Sequence, residues 1–169
     1  SKKTDIDKIK KYIKYNYKNI ELIVFASAIL TVSKFINNPV KNFNNDIQIN
    51  AFSFIDIFRE FIKFKKGIKA NAIIILSNTS IVGIKNLSSY SVSKSILQSF
   101  GESINNEMEK SNILLVYPGP IKTNFDNNAN VIEKKINYKI NTERASPYTV
   151  AKKIYKYYSL KKNYLYFNL

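Results

Sequence analysis

The chain has no cysteine, no histidine and no tryptophan among its 169 residues, and only four glycines and four prolines. Without cysteine there is neither a disulfide nor a thiolate metal site, and without histidine there is no imidazole to ligate zinc or act as a base. Metal catalysis is therefore not expected. The glycines stand singly at positions 67, 83, 101 and 119, too far apart for a glycine-rich turn that cradles phosphate at a helix N-terminus. Long apolar runs are missing too: Leu22 to Leu30 is about half of the roughly 20 residues that span a bilayer. No apolar signal core follows Ser1-Lys2-Lys3-Thr4, so a soluble, cytoplasmic chain without a transmembrane segment is expected.

Negative charge is also scarce. Lys and Arg total 27 against 12 Asp and Glu, a formal net charge of +15. Such a balance suggests polyanions as partners, but lysine outnumbers arginine about twelve to one and is scattered along helical stretches. Specific nucleic-acid recognition favours arginine forks on a patterned face, so none is expected here. What is plentiful is apolar and aromatic: 45% of the residues are hydrophobic, with 12 Tyr and 11 Phe. That content at this length fits one core.

Asp5 to Tyr17 places Ile6, Ile9, Tyr12 and Ile13 on one stripe, which predicts an amphipathic helix capped by Thr4 or Asp5. Leu22 to Ala26 is a continuous apolar run and predicts a strand covered on both faces. Asn37-Asn38-Pro39 breaks the chain. Helical spacing of Ile49, Phe52, Ile55, Phe58 and Ile62 predicts a helix over Asn45 to Lys65, stopped by Gly67. Ala72 to Leu76 and Ile113 to Tyr117 predict further buried strands, separated by a helix over Ser88 to Met108. Residues 121–145 read as a polar, asparagine-rich loop. Ser146-Pro147 opens a last helix to about Tyr158, and Tyr164 to Asn168 predicts a last strand. Strands alternating with helices predict an α/β fold with a parallel sheet.

Tyr90 and Lys94 lie one helical turn apart in Ser88-Ser89-Tyr90-Ser91-Val92-Ser93-Lys94 and so share a face. A cation beside a phenol favours the phenolate and lowers its pKa from about 10, giving a proton donor for a carbonyl. The spacing alone says little, because Tyr148/Lys152, Tyr157/Lys161 and Tyr158/Lys162 repeat it. Order adds specificity: the Ala72 to Leu76 run, Ser77 thirteen positions before Tyr90, Gly83, the Tyr90/Lys94 pair, the Ile113 to Tyr117 run, then Pro118-Gly119-Pro120-Ile121-Lys122-Thr123. In that order these features resemble the short-chain dehydrogenase/reductase family.

The resemblance implies a Rossmann-like parallel sheet flanked by helices, an NAD or NADP cofactor, and hydride exchange with a small carbonyl or secondary alcohol substrate. It implies that Tyr90 transfers the proton, and that Lys94 holds the nicotinamide ribose and lowers the tyrosine pKa. Ser77 would bind the substrate oxygen, with Ser80 as its rival. Asn50, in Ile49-Asn50-Ala51-Phe52, would hold a water of the proton relay. Pro118, Gly119, Ile121 and Thr123 would line the nicotinamide and pyrophosphate, and Ala26 would let a backbone approach the adenosine ribose. Residues 121–145 would cover the substrate, and a homodimer or homotetramer is implied.

Two departures qualify this. The family's opening strand and glycine-rich turn have no counterpart, so the chain reads as one partial domain lacking the first strands, an N-terminally truncated copy. Phe25-Ala26-Ser27-Ala28 stands where the family often has Asn-Asn-Ala-Gly. One rival is a noncatalytic α/β module used in assembly or binding. Another is a sugar-nucleotide epimerase or dehydratase, against which the Pro-Gly-Pro-Ile-Lys-Thr segment and the short C-terminal tail argue.

Overall fold

A computed structural model of the chain describes residues 3–65, 69–136 and 143–167. Four strands form one parallel sheet in the order β1 (Leu22–Phe25), β3 (Asn71–Ile75), β4 (Ile113–Tyr117), β6 (Tyr164–Tyr166). Two short strands, β2 (Thr31–Val32) and β5 (Asn130–Val131), pair in parallel as a separate ribbon. The helices are α1 (Lys3–Asn16), α2 (Val40–Ile47), α3 (Ser53–Lys65), α4 (Ser88–Glu107) and α5 (Pro147–Ser159). This is the parallel α/β sheet flanked by helices that the alternating pattern predicts.

Side chains alternate across the pleat, and the two faces of the sheet are covered unequally. Ile23 and Phe25, Ala72 and Ile74, and Ile113, Leu115 and Tyr117 face the larger core with Phe54, Phe58 and Phe61 of α3 and Leu97 of α4. Phe54 stacks on Phe25 at 4.8 Å and on Phe58 at 5.3 Å between ring centroids. Each such buried ring contributes about 1.5–3 kcal/mol relative to an exposed one. Ile13 of α1 closes this core from outside. On the opposite face α5 covers Ile73, Leu114, Val116 and Leu165 through Ile154, Tyr157 and Tyr158.

Several boundaries correct the sequence reading. β1 is not covered along its whole length on both faces: Leu22 packs into the cluster that holds Ile154, Tyr157 and Tyr158 of α5, whereas Val24 is 56% exposed. The helix predicted from Asn45 starts at Val40, after Pro39, and is interrupted at Gln48–Phe52 by a π-helical turn. Apolar spacing cannot reveal one added residue per turn. Thr4 and Asp5 lie inside α1 rather than capping it. The second strand runs Asn71–Ile75, one residue earlier than predicted. Ser146 caps α5 as expected, its Oγ accepting from the Thr149 N–H at 3.1 Å. Gly67 and Asn168, the predicted helix stop and strand end, lie outside the described residues.

Candidate active site

In a parallel sheet the C-terminal ends of the strands open onto one edge, where ligands of such folds sit. Three segments singled out in the sequence leave the sheet there. Ala26 follows β1, Ser77 comes two residues after β3, and Pro118 follows β4; pairing of Phe25 with Ile74 and of Ile75 with Val116 sets the strand ends side by side. Ala26 is exposed, and Pro118, Gly119, Pro120 and Ile121 are half-buried. Thr123 is exposed, and its Oγ1 accepts from the Phe125 N–H at 3.3 Å.

α4 crosses behind this edge and carries Tyr90 and Lys94 in its first two turns. Lys94 is 2% exposed, and its Nζ donates to the carbonyl of Ile75 at 2.8 Å, two residues before Ser77. The same nitrogen lies 5.7 Å from the centroid of the Tyr90 ring, within reach of a cation–π contact. Burial alone pushes the ammonium down to about 8, because a charged group leaves water at a cost. Near neutral pH this amine still keeps its proton for the most part and is far more easily neutralised than an exposed lysine.

Tyr90 is 8% exposed. Its ring packs with Leu30, Val32 and Leu87 and lies 5.8 Å from the ring of Phe125. Ala129 and Ile136 adjoin the same cluster, so part of the loop predicted over residues 121–145 covers the tyrosine. The loop is not wholly irregular, since β5 within it pairs with β2. Glu133 fastens it further: its carboxylate accepts from the Lys34 N–H at 2.8 Å, Asn37 Nδ2 at 2.7 Å and Ser33 Oγ at 3.2 Å. These bonds hold the Glu133 carboxyl below its ordinary pKa. Arg144 pairs with Asp126 at 2.5 Å.

Ser77 opens a 3₁₀ turn, Asn78–Ser80, and its Oγ accepts from the Thr79 N–H at 3.2 Å. As an acceptor there, the hydroxyl keeps its proton to donate. Ser80 differs, because its hydroxyl donates to the Ser77 carbonyl at 2.6 Å. Of the two serines, Ser80 commits its hydroxyl proton to a backbone carbonyl, while Ser77 Oγ is bonded as an acceptor.

Asn50 sits in the π-helical turn with no exposed surface. Such turns are frequent at functional sites. Its Oδ1 accepts from the Ile29 N–H at 2.7 Å, and its Nδ2 donates to the Ile29 carbonyl at 2.9 Å and to Ser93 Oγ at 3.1 Å. The side chain therefore joins the segment after β1 to α4, a role the sequence did not suggest. Ser93 Oγ in turn donates to the Tyr90 carbonyl at 2.7 Å.

Sequence reasoning missed Asp46, which is 1% exposed. It accepts from Ser89 Oγ at 2.5 Å and Thr31 Oγ1 at 3.0 Å. Burial raises its pKa, and the two hydroxyl bonds offset part of that rise. A signal was present, because Asp46 precedes Asn50 by four residues as Ser89 precedes Ser93. Phe125 and Glu133 carried no comparable signal. Among the described residues no cluster of carboxylates that could hold a metal ion occurs, and no helix is long and apolar enough to cross a membrane.

Comparison with known proteins gives a consistent result. The profile of the family described as short chain dehydrogenase matches residues 1–134. A short chain dehydrogenase from Burkholderia cenocepacia in complex with NADP superposes with a TM-score of 0.80 at 16% identity, over 97% of this chain and 65% of that one. An alcohol dehydrogenase from Thermococcus sibiricus complexed with 5-hydroxy-NADP gives 0.80 at 14% identity, over 96% and 69%. A short-chain dehydrogenase from Sphingobium yanoikuyae in complex with NADPH gives 0.84 at 11% identity, over 98% and 63%. The chain thus spans about two thirds of the length of these solved relatives. No curated protein matches its sequence.

Proposed function

The chain belongs to the short-chain dehydrogenase family, and from that premise we propose that its site serves NAD(P)-dependent hydride transfer between a nicotinamide and a small carbonyl or secondary alcohol. The observation that carries this reading is the pairing of Tyr90 with a buried Lys94, anchored on the strand end that leads into Ser77. Tyr90 gives its phenolic proton to the carbonyl oxygen as hydride arrives, and takes it back in the reverse direction. Ser77 donates to the same oxygen and stabilises charge developing there. Lys94 holds the nicotinamide ribose and supplies positive charge beneath the phenol. The exposed edge at Ala26 and the Pro118–Thr123 segment take the cofactor, which supplies the hydride. Asn50 holds a water that extends the relay from Lys94, with its side chain bonded to Ile29 and Ser93.

The dehydrogenase reading is tested against that of a noncatalytic α/β module acting in assembly or binding. A second copy of the chain is proposed to pack along α4, where Ser91, Val92, Ser95, Ile96 and Ser99 line an open groove; sedimentation of the purified chain tests this. Fluorescence titration with NADH and NADPH distinguishes the readings of the site, run on this chain and on the same chain joined to a glycine-rich strand–turn–helix segment. Binding by either, followed by carbonyl reduction that Tyr90→Phe abolishes, supports the dehydrogenase. Silence of both supports the module.

A further inference from the structure

Asp46 is a buried acidic side chain with no ion-pair partner among the described residues. A lone buried carboxylate is costly unless its lone pairs are used, so what it holds is informative. Ser89, which donates to it, immediately precedes Tyr90 in the first turn of α4. Thr31, the other donor, lies in β2, the strand that pairs with β5 of the covering segment. Four residues on, the pattern repeats: Asn50 takes Ser93 of α4 and Ile29 of the same loop. Two polar rungs one helical turn apart thus tie the α2 helix and its π-helical extension to α4, and Tyr90 lies between Ser89 and Ser93. One rung fixes the backbone turn that bears the phenol; its Thr31 arm fixes the strand next to which Leu30 and Val32 pack on the ring.

We propose that Asp46 is a positioning residue for Tyr90, acting through Ser89 on the turn that carries the phenol and through Thr31 on the strand packed against it. The role depends on acceptor capacity: an ionised carboxylate accepts from both hydroxyls, whereas an amide offers one oxygen. A negative group at the first turn of α4 also complements the positive end of that helix. As a statement about turnover the inference rests on the dehydrogenase reading above; as a statement about where the phenol is held it does not.

Tyrosine labelled with carbon-13 at Cζ reports each phenol separately in the 169-residue chain, with Tyr90 assigned by Tyr90→Phe. Asp46→Ala is expected to displace the Tyr90 resonance and its titration midpoint while Tyr117 and Tyr155 stay in place. Ser89→Ala should move Tyr90 in the same direction by less, and Asp46→Asn should return it part of the way. A Tyr90 signal unchanged in folded Asp46→Ala overturns the proposal. Should that variant lose its far-UV circular dichroism, folded Ser89→Ala decides, and no movement of Tyr90 there overturns it equally. In cofactor-driven reduction, Asp46→Ala is expected to lower kcat about 10- to 100-fold with KM little changed, the penalty of a misplaced catalytic group. A wild-type chain that reduces nothing counts against the dehydrogenase reading and leaves the resonance test standing.

Discussion

The Asn50 carboxamide and the Ile29 peptide form a reciprocal pair, Ile29 N–H to Oδ1 at 2.7 Å and Nδ2 to the Ile29 carbonyl at 2.9 Å. A side-chain amide here does what a neighbouring strand does for a peptide: it satisfies donor and acceptor together. This pins the segment after β1 beside the helix that bears Tyr90. Asn50→Ala leaves both Ile29 groups without that partner, at about 1–3 kcal/mol for each buried group left unpaired. Asn50→Asp keeps the acceptor but faces the Ile29 carbonyl with a second oxygen, so it rescues only in part. Hydrogen exchange at the Ile29 amide should rise strongly in Asn50→Ala and less in Asn50→Asp; protection equal to wild type would mean the pair does not hold the segment.

Lys94 gives stability a pH dependence of definite sign. Burial brings its pKa from 10.5 to about 8, so between those values the unfolded chain binds a proton that the folded chain does not. Stability therefore rises with pH across that window and is flat below it. From pH 7.5 to 9.5 the gain is about 2 kcal/mol, from the logarithmic relation between pKa and free energy. Above about pH 10 the buried Tyr117 phenol, whose pKa is raised, works in the opposite direction, which fixes the upper limit of the experiment. Urea unfolding of wild type and Lys94→Met at the two pH values isolates the lysine. Parallel pH dependence in both proteins would show that Lys94 is charged as readily when folded as when unfolded.

Glu133 ties the covering segment by accepting from three donors on the loop after β2. Its pKa is lowered, so this attachment is present above the unfolded value and is lost as pH falls through the folded one. Glu133→Ala should raise exchange at the amides of Asn130 and Ile132, which bond to Leu30 and Val32, and leave the amides of β4 protected. If the β5 amides exchange as in wild type, the β2–β5 pairing holds the segment without the carboxylate.

How much of this was legible follows from the range of each interaction. The β3 and β4 runs, α4 and the cap of α5 are written in local composition and were read nearly in register. So was the Tyr90–Lys94 face, because helical spacing is a local rule. Asn50 was picked out by its place in a motif, yet its partner Ile29 lies 21 residues away, and no spacing rule connects them. The β2–β5 ribbon joins residues about a hundred positions apart, through strands of two residues that carry no periodicity. Val24 misled for a related reason: a continuous apolar run announces burial on both faces, but what covers those faces is decided elsewhere in the fold.

Gly101 sets how near α4 comes to the sheet, and with it the reach of Lys94 to Ile75. A Cβ at this position would stand 2.5 Å from Leu115 Cδ2 and 3.4 Å from Ile74 Cδ1. Leu115 and Ile74 are both fully buried, and close-packed interiors leave little room for a displaced methyl. For Gly101→Ala the strain is opposed by about 1 kcal/mol of helix propensity, and the offending atom is the tip of a flexible side chain, so the net change should be small. Gly101→Val adds branching against the same wall and should cost about 1–3 kcal/mol, the usual range for overpacking. If α4 moves outward to relieve the clash, Lys94 is drawn off the Ile75 carbonyl toward water, and the rise in stability between pH 7.5 and 9.5 should shrink along with the urea midpoint. A Gly101→Val protein with a lower midpoint and the full wild-type pH dependence would place the adjustment in the Leu115 side chain and leave the helix where it is.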